Sequence, residues 1–165
     1  MLARHRQPHL TRRALPRQLH GGHCGGALLP PIQQFTSQAG GVSVGLGIEL
    51  PFESGLNDWV DVGINFRYFF VRKTMFVKYS QGYIVLPGGV GTLDELFEAI
   101  TLVQTKKVTR FPIVLVGVDY WSGLLDWMRD TVLADGKISA ADLDLIHLTD
   151  DVEEAVRHVA AVQRP

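Results

Sequence analysis

The sequence predicts an α/β protein built on a parallel sheet flanked by helices. Three observations carry the prediction. Short apolar runs rich in β-formers alternate along the chain with segments of helical periodicity. Those runs are apolar without in–out alternation, as in strands covered on both faces. And at residues 83–95 a strand, a glycine loop and a helix follow one another directly, the join on which such folds build ligand sites. At 165 residues with 46% hydrophobic side chains, the chain suffices for one domain with a sizeable core.

The first 38 residues differ from the rest. Arg4, Arg6, Arg12, Arg13 and Arg17 mix with His5, His9, His20 and His23, and no acidic residue precedes Glu49. No apolar core of a secretory signal is present. The expectation is a poorly ordered basic segment over 1–38, ahead of a folded domain over 39–165. A transit peptide, a basic arm for nucleic acid and a non-natural start are the readings set behind it. His20, His23 and Cys24 match no zinc spacing, so no metal site is expected and this stretch reads as a glycine-rich linker. The net charge of −1 gives no general reason to expect nucleic acid. No run approaches the 18 or so apolar residues of a membrane span. The single cysteine excludes an intrachain disulfide and fits a reducing compartment, so a cytoplasmic protein is expected.

From Gly40 the elements come in order. Residues 41–48 read as a strand; Gly45 and Gly47 have no helical pattern after them, which excludes a dinucleotide loop there. A polar loop over 52–58 leads to a second strand at 60–65. Residues 66–80 read as a helix with apolar side chains nearly all round, hence buried against the sheet and also against a second subunit. Arg72 within it is either a solvated surface arginine or a guanidinium that needs an anionic partner. Residues 82–87 form the next strand and 92–105 its helix, with Leu93, Leu96, Phe97, Ile100 and Val103 on one face.

Lys106, Lys107 and Arg110 suit the end of that helix as caps rather than ligands. Residues 111–117 are another buried strand. Asp119 precedes a helix over 121–133 with Leu124, Leu125 and Met128 inward. Tyr120 and Trp121 stand at a strand's C-terminal end, where they either stack on a base or pack at the helix start. Residues 134–137 are a turn without the ligand series of a calcium loop. Ser139 caps a short helix, 145–148 is the last strand, with His147 read as structural, and 150–163 is the final helix.

The chemistry concentrates at Pro87-Gly88-Gly89-Val90-Gly91-Thr92-Leu93-Asp94-Glu95. Backbone N–H groups of such a loop, with the dipole of the helix behind it, suit an anion, usually a phosphate. It is neither a Walker loop nor G-x-G-x-x-G. Thr92 and Glu95 have the spacing of a capping box, which is the first reading of these two residues; the reading set behind it is that Glu95 is a chemical carboxylate one turn into the helix of an anion loop.

This stretch fits P-G-G-x-G-T-x-x-E and resembles the LONELY GUY family of cytokinin riboside 5′-monophosphate phosphoribohydrolases, many of whose members bear the label "possible lysine decarboxylase". The run Phe66-Arg67-Tyr68-Phe69-Phe70-Val71-Arg72-Lys73 is similar to the family's R-K segment. The resemblance covers roughly residues 40–162. It implies a Rossmann-like sheet whose first β-α-β unit is atypical or missing here, because Pro30-Pro31 falls where a helix should run. It implies hydrolysis of the N-glycosidic bond of AMP or an N6-substituted AMP to free base and ribose 5-phosphate. Arg72 and Glu95 would be the catalytic pair, with Lys73, Pro87, Gly88, Gly89, Gly91, Thr92 and Glu98 around the substrate. It also implies a homodimer, with neither nucleic acid nor membrane as partner.

The residues fit that chemistry: breaking a purine–ribose bond needs an anchored phosphate, a carboxylate facing the cationic sugar or activating water, and a cation that orients them. No metal or organic cofactor is required. A lysine decarboxylase would need pyridoxal phosphate and a Schiff-base lysine, and Lys73, Lys78, Lys106, Lys107 and Lys137 include no convincing candidate. The competing reading is a nucleotide-binding protein, or a truncated remnant of the enzyme, that keeps the loop without the activity.

Overall fold

The computed structural model describes residues 39–49, 58 and 60–162. The expectations for residues 1–38, for the histidines and cysteine within them, and for most of the 52–58 loop lie outside the described residues. What is described is an α/β fold with every strand pairing parallel, as expected. The pairing falls into two blocks. Strand β1 (Val44–Ile48) pairs with β2 (Val62–Phe66). Strands β3 (Tyr83–Val85), β4 (Ile113–Val116) and β5 (Ile146–Thr149) form a three-stranded sheet in that order.

Strand β4 is central in the larger sheet, and Ile113, Val114 and Leu115 are wholly buried. This is the both-face burial that their unbroken apolar run predicts. Strand β3 departs from it. Tyr83 and Val85 are buried, whereas Ile84 between them is exposed. Successive strand side chains point to opposite faces, so among the described residues one face of β3 is covered and the other, carrying Ile84, is open.

Helix α1 (Phe69–Tyr79) starts three residues later than expected, because Phe66 continues β2 opposite Ile48. It has no fully buried residue, and Phe69, Phe70 and Tyr79 are exposed. The burial on several sides that its composition predicts is therefore not met within the described residues. Helix α2 (Val90–Gln104) begins two residues before Thr92. Gly89 is its extended N-cap, and the Leu93 N–H closes the first turn on the Gly89 carbonyl at 3.1 Å. It buries Leu96 and Ile100 of the face read from the sequence, with Leu93, Phe97 and Val103 partly buried against the core, and adds Ala99. It ends through the backbone: Lys106 takes a left-handed conformation, and the Lys107 and Val108 N–H groups both reach the Leu102 carbonyl.

Helix α3 (Val118–Trp127) starts at a left-handed Gly117 and widens into a π-type segment, Met128–Leu133. Asp119 thus lies in its first turn rather than ahead of it. The short α4 (Ala140–Leu143) carries the full Ser139–Asp142 capping box, and α5 (Val152–Val162) closes the described chain.

The core joins Tyr83, Val85, Ile113 and Leu115 of the sheet to Leu96, Ala99 and Ile100 of α2 and Trp121 of α3. Helix α5 packs on β4 and β5. There His147 lies 3.2 Å from the Glu154 carboxylate and stacks on His158, the structural role its place in a strand suggests. No described helix is long and apolar enough to cross a membrane.

Candidate active site

A cavity of about 780 Å³ runs along the open edge of β3, walled by α1 and the start of α2. Arg72, Phe76, Tyr83, Pro87, Thr92 and Glu95 all contribute to it. Arg72 reaches in from α1, 23% exposed, and its guanidinium takes acceptors on two other elements. Its Nη1 donates to Glu95 Oε1 at 2.8 Å, and its Nε donates to the Leu46 carbonyl of β1, also at 2.8 Å. The guanidinium carbon sits 5.9 Å from the centre of the Phe76 ring, one turn along the same helix. Arg72 thereby ties the two-stranded block to the helix that follows the glycine loop.

Glu95 is not the closing member of a capping box. No side chain caps α2, because the helix starts at Val90 and both Thr92 and Glu95 fall inside it. Its side chain is only 15% exposed, shielded enough for burial to matter. Burial holds its pKa above the ordinary glutamate value of 4.5; Arg72 and Lys73 pull it down while Glu98 and Asp94 push it further up. Its second oxygen, Oε2, is buried and has no partner among the described residues. The Tyr83 hydroxyl is in the same condition, and its pKa is raised, first by burial and then by the Glu95 and Glu98 charges. Its ring is clasped by Phe76 and Phe111. Tyr83 has no counterpart among the expected site residues; a tyrosine in an apolar strand reads as core, and only the orphaned hydroxyl marks it.

The glycine loop is shaped by three different needs. At Gly88 a Cβ would lie 2.1 Å from the Thr92 hydroxyl, so no larger residue fits. At Gly89 and Gly91 a Cβ would meet nothing within 4 Å. Their bareness answers no packing demand and leaves the backbone open to a ligand. At the helix start, the N–H groups of the first turn have no intrahelical carbonyl to bond, which is the state that receives an anion.

The sequence-predicted residues divide. Arg72, Glu95, Pro87, Gly91 and Thr92 converge on the cavity, with Gly88 and Gly89 in the loop beside it. Lys73 and Glu98 pair with each other instead. Lys73 Nζ lies 3.0 Å from Asp94 and 3.1 Å from Glu98, and these bonds, Asp94 first, raise its pKa. A lysine held as an ammonium between two carboxylates is ill-suited to form a Schiff base. Trp121 is 1% exposed in the core and is not available to stack on a base, which decides for packing at the helix start. It lies edge-on to Tyr120, whose hydroxyl turns to the Gly88 carbonyl. No group of three or more potential metal ligands occurs among the described residues.

Residues 31–159 match the family model described as possible lysine decarboxylase. A cytokinin riboside 5′-monophosphate phosphoribohydrolase of Mycobacterium tuberculosis is 39% identical over 92 residues, 54% of this chain and 47% of that protein. One from Arabidopsis thaliana is 37% identical over 87 residues, 52% of this chain and 40% of that protein. One from Rhodococcoides fascians is 29% identical over 94 residues, 57% and 46% of the two chains. The chain thus spans about half the length of the curated relatives it matches.

Proposed function

This chain belongs to the possible lysine decarboxylase family, the LONELY GUY family, and from that membership we propose that it hydrolyses the N-glycosidic bond of AMP or an N6-substituted AMP. The products are the free base and ribose 5-phosphate. The observation that carries the reading is the 2.8 Å contact of Arg72 with Glu95 beside the glycine loop. The three services the reaction needs meet in one cavity.

The 5′-phosphate is taken by the N–H groups at the start of α2, with Gly89 and Gly91 leaving room for its approach. That remote contact sets the sugar over Glu95. As the C1′–N9 bond breaks, its electron pair passes to the purine, which takes up a proton, and positive charge grows on the sugar. Glu95 stabilises this charge and accepts a proton from the water whose oxygen bonds to C1′. Arg72 offsets part of the burial that raises the Glu95 pKa and so favours the ionised carboxylate. The exposed Phe69, Phe70 and Tyr79 of α1 support a homodimer formed through that helix. Cytoplasmic residence rests on the lone Cys24.

The test is chromatographic detection of free base from AMP and from its N6-isopentenyl analogue. Base release from either supports the reading, and the preferred analogue identifies the substrate class. A folded chain that binds these nucleotides without releasing base is instead a binding protein.

A further inference from the structure

Tyr120 lies outside the catalytic pair and the glycine motif, yet its hydroxyl donates to the Gly88 carbonyl at 2.5 Å across 32 residues of sequence. Backbone bonds and one ring contact place the side chain. Tyr120 stands in the first turn of α3, its N–H and that of Trp121 both bonded to the Gly117 carbonyl. Its ring lies edge-on to the buried Trp121, with centroids 4.8 Å apart. Gly117 itself is left-handed, and a Cβ there would come within 3.1 Å of the Pro87 ring, so the β4–α3 turn closes against the base of the glycine loop. The loop is thus gripped at two successive residues, Pro87 and Gly88, from one turn.

The grip has a chemical consequence. In a trans peptide the carbonyl and the following N–H point in opposite directions, and no peptide bond described here is cis. Holding the Gly88 oxygen toward Tyr120 therefore turns the Gly89 N–H away from it. A peptide between two glycines flips at little steric cost, since neither residue has a Cβ to forbid the alternative. The flipped peptide would present a carbonyl oxygen where an anion expects a donor.

We propose that Tyr120 is a positioning residue that locks the Gly88–Gly89 peptide in its anion-accepting orientation, making the loop selective for phosphorylated ligands. This rests on the proposal that the loop receives the 5′-phosphate.

The experiment is calorimetric titration of the full chain and of its Tyr120→Phe variant with ribose 5-phosphate and with adenosine. The substitution removes one half-exposed hydroxyl and keeps the ring, so the melting temperature should hold. The expected result is an about 10- to 100-fold weaker affinity of the variant for ribose 5-phosphate, the worth of roughly one hydrogen bond to a charged group. Adenosine affinity should be unchanged, and with AMP the loss should fall on KM rather than kcat. Equal ribose 5-phosphate affinities overturn the lock. Parallel weakening of both ligands also overturns it, as the mark of a merely structural contact. A wild-type chain that fails to bind ribose 5-phosphate overturns the assignment of the loop itself, which none of the variant's results could do.

Discussion

Arg72 and Glu95 stand 23 residues apart in sequence, on two different helices, and meet at 2.8 Å on the wall of one cavity. The pair is partly desolvated, with 23% and 15% of the two side chains exposed, so it is a strong local determinant rather than a solvated surface contact. What it determines is the charge of a carboxylate that its surroundings would prefer neutral.

Glu95→Gln should therefore separate activity from stability. Base release should fall by about 10²- to 10⁴-fold, the usual worth of a positioned acid–base group. Stability should move the other way or not at all. A carboxyl whose folded pKa is raised gives stability present below its unfolded pKa and lost as pH rises through the folded one, so once ionised Glu95 is a cost to the fold. Glutamine lacks that cost. Melting curves at pH 7 showing a marked loss of stability in the variant would count against this account.

Arg72→Ala should shift the acid limb of the pH–rate profile upward. The limb in the wild type should already lie above 4.5, because burial raises the Glu95 pKa. Arg72 opposes that rise, so its removal leaves more carboxyl protonated at any given pH. The Leu46 carbonyl also loses its donor, at about 1–3 kcal/mol of stability. Arg72→Lys restores the charge without the two-armed geometry, and should recover part of the limb's position and little of the stability. An acid limb that stays in place in Arg72→Ala would separate the two residues.

The glycines of the loop should respond unequally to alanine. Gly88→Ala drives a methyl group to within 2.1 Å of the Thr92 hydroxyl, and relief requires movement at the start of α2. It should lower stability by about 1–3 kcal/mol, as other overpacked sites do. Gly89→Ala meets nothing within 4 Å and should leave stability within about 0.5 kcal/mol while weakening ribose 5-phosphate binding. Denaturant unfolding and calorimetry together decide this; equal effects at both positions would mean that the open space at Gly89 is not kept for a ligand.

Phe70→Glu should test the second subunit. Phe70 is 69% exposed on α1, beside an exposed Phe69. Sedimentation of the wild type should give a dimer, and the charge should shift it toward monomer without unfolding the chain. A wild-type monomer at micromolar concentration would leave this apolar face to some other neighbour.

The sequence by itself determined the parallel α/β class, the strand–loop–helix join at residues 83–95 and the buried face of α2. These follow from local chemistry: unbroken apolar runs, a proline and glycines between elements, and a 3.6-residue period. It also supplied both halves of the Arg72–Glu95 pair, but only by resemblance, since from the residues alone Arg72 read first as a surface arginine and Glu95 first as a cap. Tertiary structure decided between those readings. A guanidinium chooses among acceptors by distance, and the nearest belong to β1 and α2, neither adjacent to it in sequence. The same holds for Trp121 and Tyr120, neighbours in the chain with opposite fates. One is sealed in the core and the other reaches the loop, because the left-handed turn at Gly117 sets which of them faces the sheet. Lys73 likewise carried a charge suited to phosphate, and two carboxylates on the facing helix claimed it. Pattern along a chain reports which residues seek burial or a counter-charge; which partner they find depends on elements brought together only by folding.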